Sequence, residues 1–410
     1  MSTPADLEFD VVIVGAGPAG LCMALALQSM DLAVAVIDPA PGTQLAEAPF
    51  DGREIALTHA SRRRLEQLGV WSRLPVSEVS ALRDACVFNE DAEEPLRITH
   101  EDGAASQLGF LVPNHLIRRA AFAAFQASGR ATLLDSVLVD GVARGRPWHR
   151  LQLADGRQVA ARLVIAADGR FSRTRRAFGI AARMRDFGRS MLVCRMSLER
   201  EHDHVAWEWF GRTQTLALLP LNGQRAGVVI TLPHTEIERL QHLSTAAFDE
   251  EVTVRYQGRL GAMRLTGERC VYPLVGVWPD RLTAPGFAAI GDAAVGMHPV
   301  TAHGFNLGLA SVGSLAARMR IAGTHGGDVA ADAVLEAYAR EHRRASLPLY
   351  LATTAVVGLY TDTRAPARLA RRMALDVASR LAPFRRRVAR ELTGLQPVLT
   401  AAVEPGGQVR

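Results

Sequence analysis

The side chains best placed for chemistry in this 410-residue sequence follow the short apolar run Phe287–Ile290. Asp292 comes after one glycine, and Pro299, His303 and Asn306 follow soon afterwards. A carboxylate at a strand end can accept hydrogen bonds from sugar or ribityl hydroxyls, and the N–H groups that open a helix can face negative charge. The segment predicts a site for a long ligand with hydroxyl and anionic groups, although an ordinary strand–turn–helix crossover would have the same pattern.

A glycine-rich turn near the N-terminus offers a second place for such a ligand. The apolar run Asp10–Val14 leads directly into a turn with Gly15, Gly17 and Gly20, and a helical pattern and a second strand follow, ending at Asp38. In a βαβ unit these glycines allow a tight turn, the helix N-terminus faces a pyrophosphate, and the acid reaches a ribose hydroxyl. Because strand, helix and acid are all in place, the sequence predicts dinucleotide binding.

Two further polar groups are ambiguous when taken singly. The buried-strand pattern Arg162–Ala167 ends at Asp168, and Ser172 and Arg175 follow, whereas Arg53 lies just ahead of another helical pattern. A turn of the Asp-Gly type is common, and a single arginine is often a solvated surface charge. Only their combination with the two glycine-rich turns points to a shared ligand.

Composition excludes several other kinds of chemistry. The chain contains no lysine, so no side chain can form a Schiff base. The cysteines are widely spaced and form no C-x-x-C pair, which argues against a zinc site or a disulfide framework and favours a reducing compartment. No metal site is expected. The net charge of +5 and the absence of a nucleic-acid-binding motif predict no nucleic-acid partner.

The sequence shows no pattern typical of a signal peptide or of a membrane span. The acidic N-terminal ten residues lack the basic region of a signal peptide, and no run reaches the roughly 18 uncharged apolar residues of a membrane span. We therefore expect a cytoplasmic protein.

Three motifs follow one another in the sequence: Gly15–Gly20 with Asp38, then Asp168-Gly169, then Gly291-Asp292 running to Asn306. Together they resemble the signatures of the single-component FAD-dependent aromatic hydroxylases, over about residues 8–345. The run from Met297 to Leu309 is most similar to the H-P-x-x-G-Q-G-F-N-L-G-L run of the ubiquinone-biosynthesis hydroxylases of the UbiH, UbiF, UbiI and UbiM types. The resemblance implies an α/β fold: a Rossmann-like FAD-binding domain of the glutathione-reductase type, as in para-hydroxybenzoate hydroxylase, with an inserted β-rich substrate domain and a C-terminal helical segment.

The resemblance also implies domain bounds and site residues. The FAD-binding domain is expected over 1–76, 110–180 and 276–345, the substrate domain over 77–109 and 181–275, and C-terminal helices and a tail over 346–410. The cofactor-binding residues it implies are Gly15, Gly17, Gly20, Asp38, Arg53, Arg118, Asp168, Asp292, Gly304, Phe305 and Asn306, and the catalytic positions are Pro299 and His303. For Arg118 a basic helix face in solvent is an equal alternative.

This sequence departs from the family at the flavin side. Ala302-His303 replaces the usual Gly-Gln, and Ser311 replaces a later Asp. His303 can exchange protons near neutral pH, or it can replace the glutamine as a hydrogen-bonding group. The ring position that is attacked stays open.

The reaction implied by the resemblance uses FAD, NAD(P)H as the reductant and O2 as co-substrate. A flavin C4a-hydroperoxide would hydroxylate the aromatic ring of a polyprenylated phenol or quinol on the way to ubiquinone. Alternatives are a hydroxylase of a small soluble aromatic, a flavin-dependent reductase or epoxidase of prenyl chains, and a non-catalytic flavoprotein scaffold. A halogenase is disfavoured because its catalytic lysine is absent.

The C-terminal part has a different character. Arg364–Arg390 contains nine arginines and one aspartate, with apolar residues at helical spacing. This pattern predicts either a helix packed on the nucleotide domain with a solvated arginine face, or a surface that rests on anionic lipid. The second interpretation would place the protein peripherally at the inner membrane, alone or in a ubiquinone-biosynthesis complex.

Overall fold

The computed structural model describes residues 7–89, 95–211, 213–298, 303–361 and 382–394. Its helices are α1 Pro18–Leu27, α2 Gly42–Glu47, α3 His59–Gln67, α4 Asn114–Ser128, α5 Arg173–Ala177, α6 His234–His242, α7 Thr245–Arg255, α8 Gly304–Thr324, α9 Asp332–Thr361 and α10 Ala382–Thr393. Its strands are β1 Leu7–Val14, β2 Val34–Ile37, β3 Glu54–Leu57, β4 Ser80–Leu82, β5 Asp84–Asn89, β6 Leu96–Ile98, β7 Gly109–Pro113, β8 Ala131–Leu134, β9 Val139–Ala143, β10 His149–Leu153, β11 Gln158–Ala166, β12 Ala182–Leu198, β13 Val205–Phe210, β14 Thr215–Leu221, β15 Arg225–Pro233, β16 Met263–Leu265, β17 Cys270–Pro279, β18 Thr283–Ala284 and β19 Phe287–Ala289.

The first sheet brings three distant loops to one edge. Its strands run in the order β18-β19-β11-β1-β2-β8, with β10 and β9 attached to β11, and β1, β2, β8, β11 and β19 are mutually parallel. The buried apolar runs of β1 and β2 are typical of a parallel sheet covered on both faces. Val14 pairs with Ala166, and Ala166 pairs with Ala289. The loops after these three strands therefore begin side by side.

The second sheet is mostly antiparallel and has one face covered by α6 and α7. Its order is β16-β12-β15-β14-β13-β5-β6, with β17 paired to β12. A turn at Asn222-Gly223, a pair typical of two-residue hairpin loops, joins β14 to β15. Leu192 and Cys194 of β12 and Phe248 of α7 lie in the core between the sheet and the two helices. A small sheet, β3-β7-β4, contacts the opposite face, where Gly52 lies against Val193.

The last helices line the outside of this framework. α8 packs on α1 and α9, and α9 runs through Pro348 and across position 345. Among the described residues, no helix combines the length and the apolar character that crossing a bilayer would require.

The described part of the arginine-rich segment packs on the protein. In α10, Ala389 is buried against Leu96 and Ile98, at the β6 edge of the second sheet. The helix expected to pack on the nucleotide domain thus packs on the second sheet at Ala389, and just after it Gly394 lies against Thr58 of the nucleotide domain. Arg386, Arg387 and Arg390 are exposed, and residues 364–381 lie outside the described part of the chain.

Candidate active site

The three glycines of the turn after β1 differ in the space around their Cα atoms. Gly15 has φ +110°, and a Cβ there would lie 2.5 Å from the Ala167 carbonyl oxygen. A Cβ on Gly20 would collide with the Gly15 carbonyl oxygen, whereas a Cβ on Gly17 would meet no atom within 4 Å. Two glycines therefore close the turn, and the third leaves open space at the N-terminus of α1.

The carboxylate predicted to reach a ribose is held by this turn. Asp38 Oδ2 accepts a hydrogen bond of 2.6 Å from the Ala16 N–H, and Oδ1 accepts one of 2.8 Å from the Ala40 N–H. Asp38 and Gly17 line a pocket of about 510 Å³, with Asp168 and Phe171 on another side. The structure thus brings these predicted residues to one cavity.

Asp168 has one satisfied oxygen and one that lacks a partner. Its Oδ2 accepts hydrogen bonds from the Thr174 N–H at 3.0 Å and from Thr174 Oγ1 at 2.9 Å. Its Oδ1 is buried and has no hydrogen-bond partner among the described residues. A buried acceptor without a donor costs free energy. A ligand or water that donates a hydrogen bond in this pocket would remove that cost.

Ser172 and Arg175, which follow Asp168 in the same motif, stabilise the fold around the pocket. Ser172 Oγ caps α5 by accepting from the Arg175 N–H at 2.9 Å. The buried Arg175 guanidinium donates to the Ala293 carbonyl oxygen at 3.0 Å, and burial lowers the pKa of Arg175. The loop after β11 is therefore tied to the turn that carries Asp292.

The turn after β19 depends on a residue that departs from the family pattern. Gly291 has φ +59°, and its N–H donates to the buried Ser311 Oγ at 3.0 Å. Gly308 allows α8 to approach, since a Cβ there would lie 3.3 Å from the Gly291 Cα. Ser311 thus anchors the turn without introducing a buried charge.

Asp292 has a partner that the sequence did not reveal. Its Oδ2 accepts from Arg170 Nη2 at 3.1 Å, and Arg170 Nη1 donates to the Val275 carbonyl oxygen at 3.2 Å. The Asp292 side chain is 39 % exposed, so it can still reach a ligand. Arg170 directly follows the Asp168-Gly169 pair, but no spacing rule links it to Asp292.

Arg53 belongs to a polar cluster and is not an isolated surface charge. Its Nη2 lies 2.6 Å from Asp51 Oδ2, which also accepts from Asn114 Nδ2 at 2.7 Å. The guanidinium lies 5.3 Å from the centre of the Tyr272 ring, and the Tyr272 hydroxyl donates to the Asp51 carbonyl oxygen. Burial opposes the charge on Arg53, but Asp51 raises the pKa of Arg53 above its usual value.

The N-terminus of α8 is joined to β3, the strand that follows Arg53. Asn306 Oδ1 accepts from the Thr58 N–H at 3.1 Å, and Asn306 Nδ2 donates to the Ala56 carbonyl oxygen at 2.8 Å. Phe305 packs against the core, and a Cβ on Gly304 would meet no atom within 4 Å. His303 immediately precedes the helix. The Asn306 side chain thus holds the end of β3 against α8.

The remaining predicted residues are less constrained. Arg118, on α4, is partly exposed and has no hydrogen-bond partner among the described residues. Pro299 lies outside the described residues. The neighbouring His298 packs edge-on against Phe187, and burial lowers the pKa of His298 to about 4, with help from Arg170. Within the described ranges, no cluster of side chains could hold a metal ion.

The fold and the site together define an FAD-binding protein. A family model described as "FAD binding domain" matches residues 8–348. The crystal structure of PqsL from P. aeruginosa in complex with 2-aminobenzoylacetate is similar in fold, with a TM-score of 0.75 and 22 % identity over 87 % of this chain and 97 % of that one. The predicted fold class is confirmed.

Two curated relatives narrow the family. Ubiquinone hydroxylase UbiM of Neisseria meningitidis is 40 % identical over 95 % of this chain and 85 % of its own length. Ubiquinone hydroxylase UbiL of Rhodospirillum rubrum is 34 % identical over 95 % of this chain and 90 % of its own length. The chain belongs to the ubiquinone hydroxylase family of FAD-dependent monooxygenases, which confirms the resemblance.

Proposed function

We propose that this monooxygenase hydroxylates the aromatic ring of a polyprenylated phenol or quinol that is a precursor of ubiquinone, with NAD(P)H and O2 as co-substrates. The observation that carries the proposal is the convergence of Gly15, Asp168 and Asp292 from three adjacent strand ends. The names of the relatives support the substrate class.

The residues present fit FAD. The open space at Gly17 and the N-terminus of α1 suit a pyrophosphate, and Asp38 suits a ribose hydroxyl. The unpartnered Asp168 Oδ1 supplies an acceptor in the same pocket, and Asp292 would accept from the ribityl chain. When bound, FAD supplies the redox chemistry with O2.

The protein's own groups would orient the reactants and stabilise charge. The N–H groups of the first turn of α8 would provide positive potential on one side of the site, and Arg53, whose charge is balanced by Asp51, would supply a hydrogen-bond donor. Arg170 would orient Asp292 by holding one of its oxygens. We retain Pro299 and His303 as candidate catalytic positions, with His303 either donating a hydrogen bond or exchanging a proton.

We also retain the domain bounds and the cellular location as proposals. The FAD-binding and substrate domains keep the ranges given above, with α9 running across the last boundary. We place the protein in the cytoplasm, with a peripheral contact at the inner membrane or within a ubiquinone-biosynthesis complex.

The test is complementation of a bacterium that lacks a ubiquinone-ring hydroxylase, with quinone intermediates analysed by mass. We expect the chain to restore ubiquinone and a Gly15→Val variant, in which the glycine turn cannot close, to leave the intermediate in place. The mass and fragmentation of the product would identify the ring carbon. An FAD-loaded protein that restores no ubiquinone but oxidises NAD(P)H with soluble phenols would favour the small-aromatic alternative.

A further inference from the structure

The second half of α9 has an inner face that supports the candidate site. Leu349 and Tyr350 pack against a small core that contains Trp278 and Met297, and the Tyr350 and Trp278 ring centres are 4.6 Å apart. Thr353, one turn further along, is buried. Met297 lies directly before the His298-Pro299 pair. This helix is thus one wall behind the part of the chain assigned to the flavin side.

The outer face of the same helical segment is apolar and exposed. Leu347 is 41 % exposed and Leu351 is 56 % exposed, and they lie one turn apart. Four smaller residues complete a stripe with helical spacing, all of them exposed: Ala345, Pro348, Ala352 and Ala355. At 1.5 Å per residue the stripe is about 15 Å long. A helix face in water is ordinarily polar, so this stripe needs an apolar or interfacial neighbour.

Exposed arginines lie beside the stripe. The sequence from Ala345 to Thr361 contains no charged residue, and the exposed Arg344 precedes it directly. Arg185 is exposed on β12 and acts electrostatically on Tyr350. The nearest acid in the helix, Glu341, is paired with Arg318 at 3.0 Å. Arginines beside an apolar stripe complement the headgroups and acyl chains of an anionic membrane.

We propose that the outer face of α9, from Arg344 to Ala355, is the surface on which the protein rests on a bilayer that contains anionic phospholipid. The inference depends on the proposed function, because a polyprenylated substrate resides in that bilayer. A second copy of the chain fits less well, since a stable protein interface buries about 800 Å² on each partner and this stripe offers two leucines and four small residues.

The test measures binding of the FAD-loaded full chain to vesicles of phosphatidylethanolamine and phosphatidylglycerol by flotation. We expect a Leu347→Ser/Leu351→Ser variant to partition roughly tenfold less, because two apolar side chains no longer enter the interface. A Val254→Ser/Ile321→Ser variant is the control, because Val254 is 68 % exposed and Ile321 is 55 % exposed, and both are apolar residues on other helices. Equal loss in both variants, or no loss in either, overturns the proposal.

Two further measurements cover misfolding and the charge requirement. An environment-sensitive dye at Leu351→Cys should shift to the blue on anionic vesicles, and the same dye at Ile321→Cys should not. Arg344→Gln should weaken binding a few-fold on anionic vesicles, and phosphatidylcholine vesicles should bind weakly throughout. A wild-type dimer that dissociates when Leu347 and Leu351 are replaced, without vesicle binding, would assign the stripe to a second copy and overturn the membrane assignment.

The outcome is separable from the proposed reaction. Vesicle binding through α9 without ubiquinone restoration would leave the surface standing and remove the substrate. Restored ubiquinone, with vesicle binding that does not change when the outer face of α9 is altered, would support the substrate and overturn the proposed surface.

Discussion

The two ends of the candidate cofactor site are built differently. At the glycine-turn end, Asp38 bonds to a residue two positions away and to one 22 positions away, and Asp168 bonds to a residue six positions away. At the flavin end, Asn306 bonds across 248 residues, Tyr272 across 221 and Asp292 across 122. The first end is assembled by one βαβ unit and its neighbour, and the second exists only after the whole chain has folded.

The largest expected effect of a single substitution is at the glycine-turn end. Gly20→Ala places a Cβ against the Gly15 carbonyl oxygen, so we expect a loss of about 3 kcal/mol in the free energy of unfolding and no retained FAD. The control is Gly17→Ala, whose Cβ meets open space in the cofactor-free protein. It should keep its stability and lose only FAD affinity. Denaturant unfolding and flavin absorbance measure both, and equal stability of the two variants would contradict the steric argument.

Acid should weaken the protein through two buried histidines. Burial lowers the pKa of His298 and of His342 to about 4 from 6.5. Because the unfolded chain binds these protons first, the stability is complete above pH 6.5 and falls towards pH 4, by about 1.4 kcal/mol per pH unit for each group. His342→Phe should remove the contribution of one histidine, about 1.4 kcal/mol per pH unit, from the dependence of the unfolding free energy on pH. Unfolding free energies across this range test it, and an unchanged slope would exclude His342.

Asp292→Ala sharpens the comparison at the flavin end. The ribityl chain would lose a charged acceptor worth about 1.5–3 kcal/mol, so the Kd for FAD should rise roughly 10- to 150-fold. Stability should change little, because the Asp292–Arg170 pair is partly exposed. Asp292→Asn keeps an acceptor and should lie between the two. Wild-type FAD affinity in Asp292→Ala would show that the ribityl site is elsewhere.

The smallest effect concerns the link between β3 and α8. Asn306→Ala removes the partners of the Thr58 N–H and the Ala56 carbonyl oxygen, so we expect a loss of about 1–2 kcal/mol in unfolding free energy. Asn306→Asp keeps the acceptor for Thr58 and should lose less. If Asn306 also contacts the cofactor, both variants should lose more FAD affinity than their loss of unfolding free energy accounts for. Titration with FAD measures the affinity separately from the stability.

What could be predicted from the sequence follows the same division. The glycine turn, Asp38, the three strand ends and the Asn222-Gly223 hairpin all have short-range signals, and the structure has these elements. The sequence pattern over Thr235–Tyr256 is helical, and the structure has two helices there, because Ser244 caps the second by accepting from the Ala247 N–H.

Long-range partners had no such signal. Arg170 beside Asp292, Tyr272 beneath Arg53 and Ser311 behind Gly291 are set by how distant segments pack. Arg175 follows Asp168 in the same motif, and the structure shows that it is buried and donates to a backbone carbonyl. Composition and spacing cannot distinguish a side chain that contacts a cofactor from one that supports its neighbour.

The aligned ends of β1, β11 and β19 restrict where this chain can change length. A residue inserted or deleted within any of these strands would shift its loop by about 3.3 Å and turn its side chains to the opposite face. The exposed hairpin turn at Asp155-Gly156, at the far end of β11, can absorb the same change without moving Ala166. Loop grafts and tags therefore belong at that turn and not beside the three strand ends.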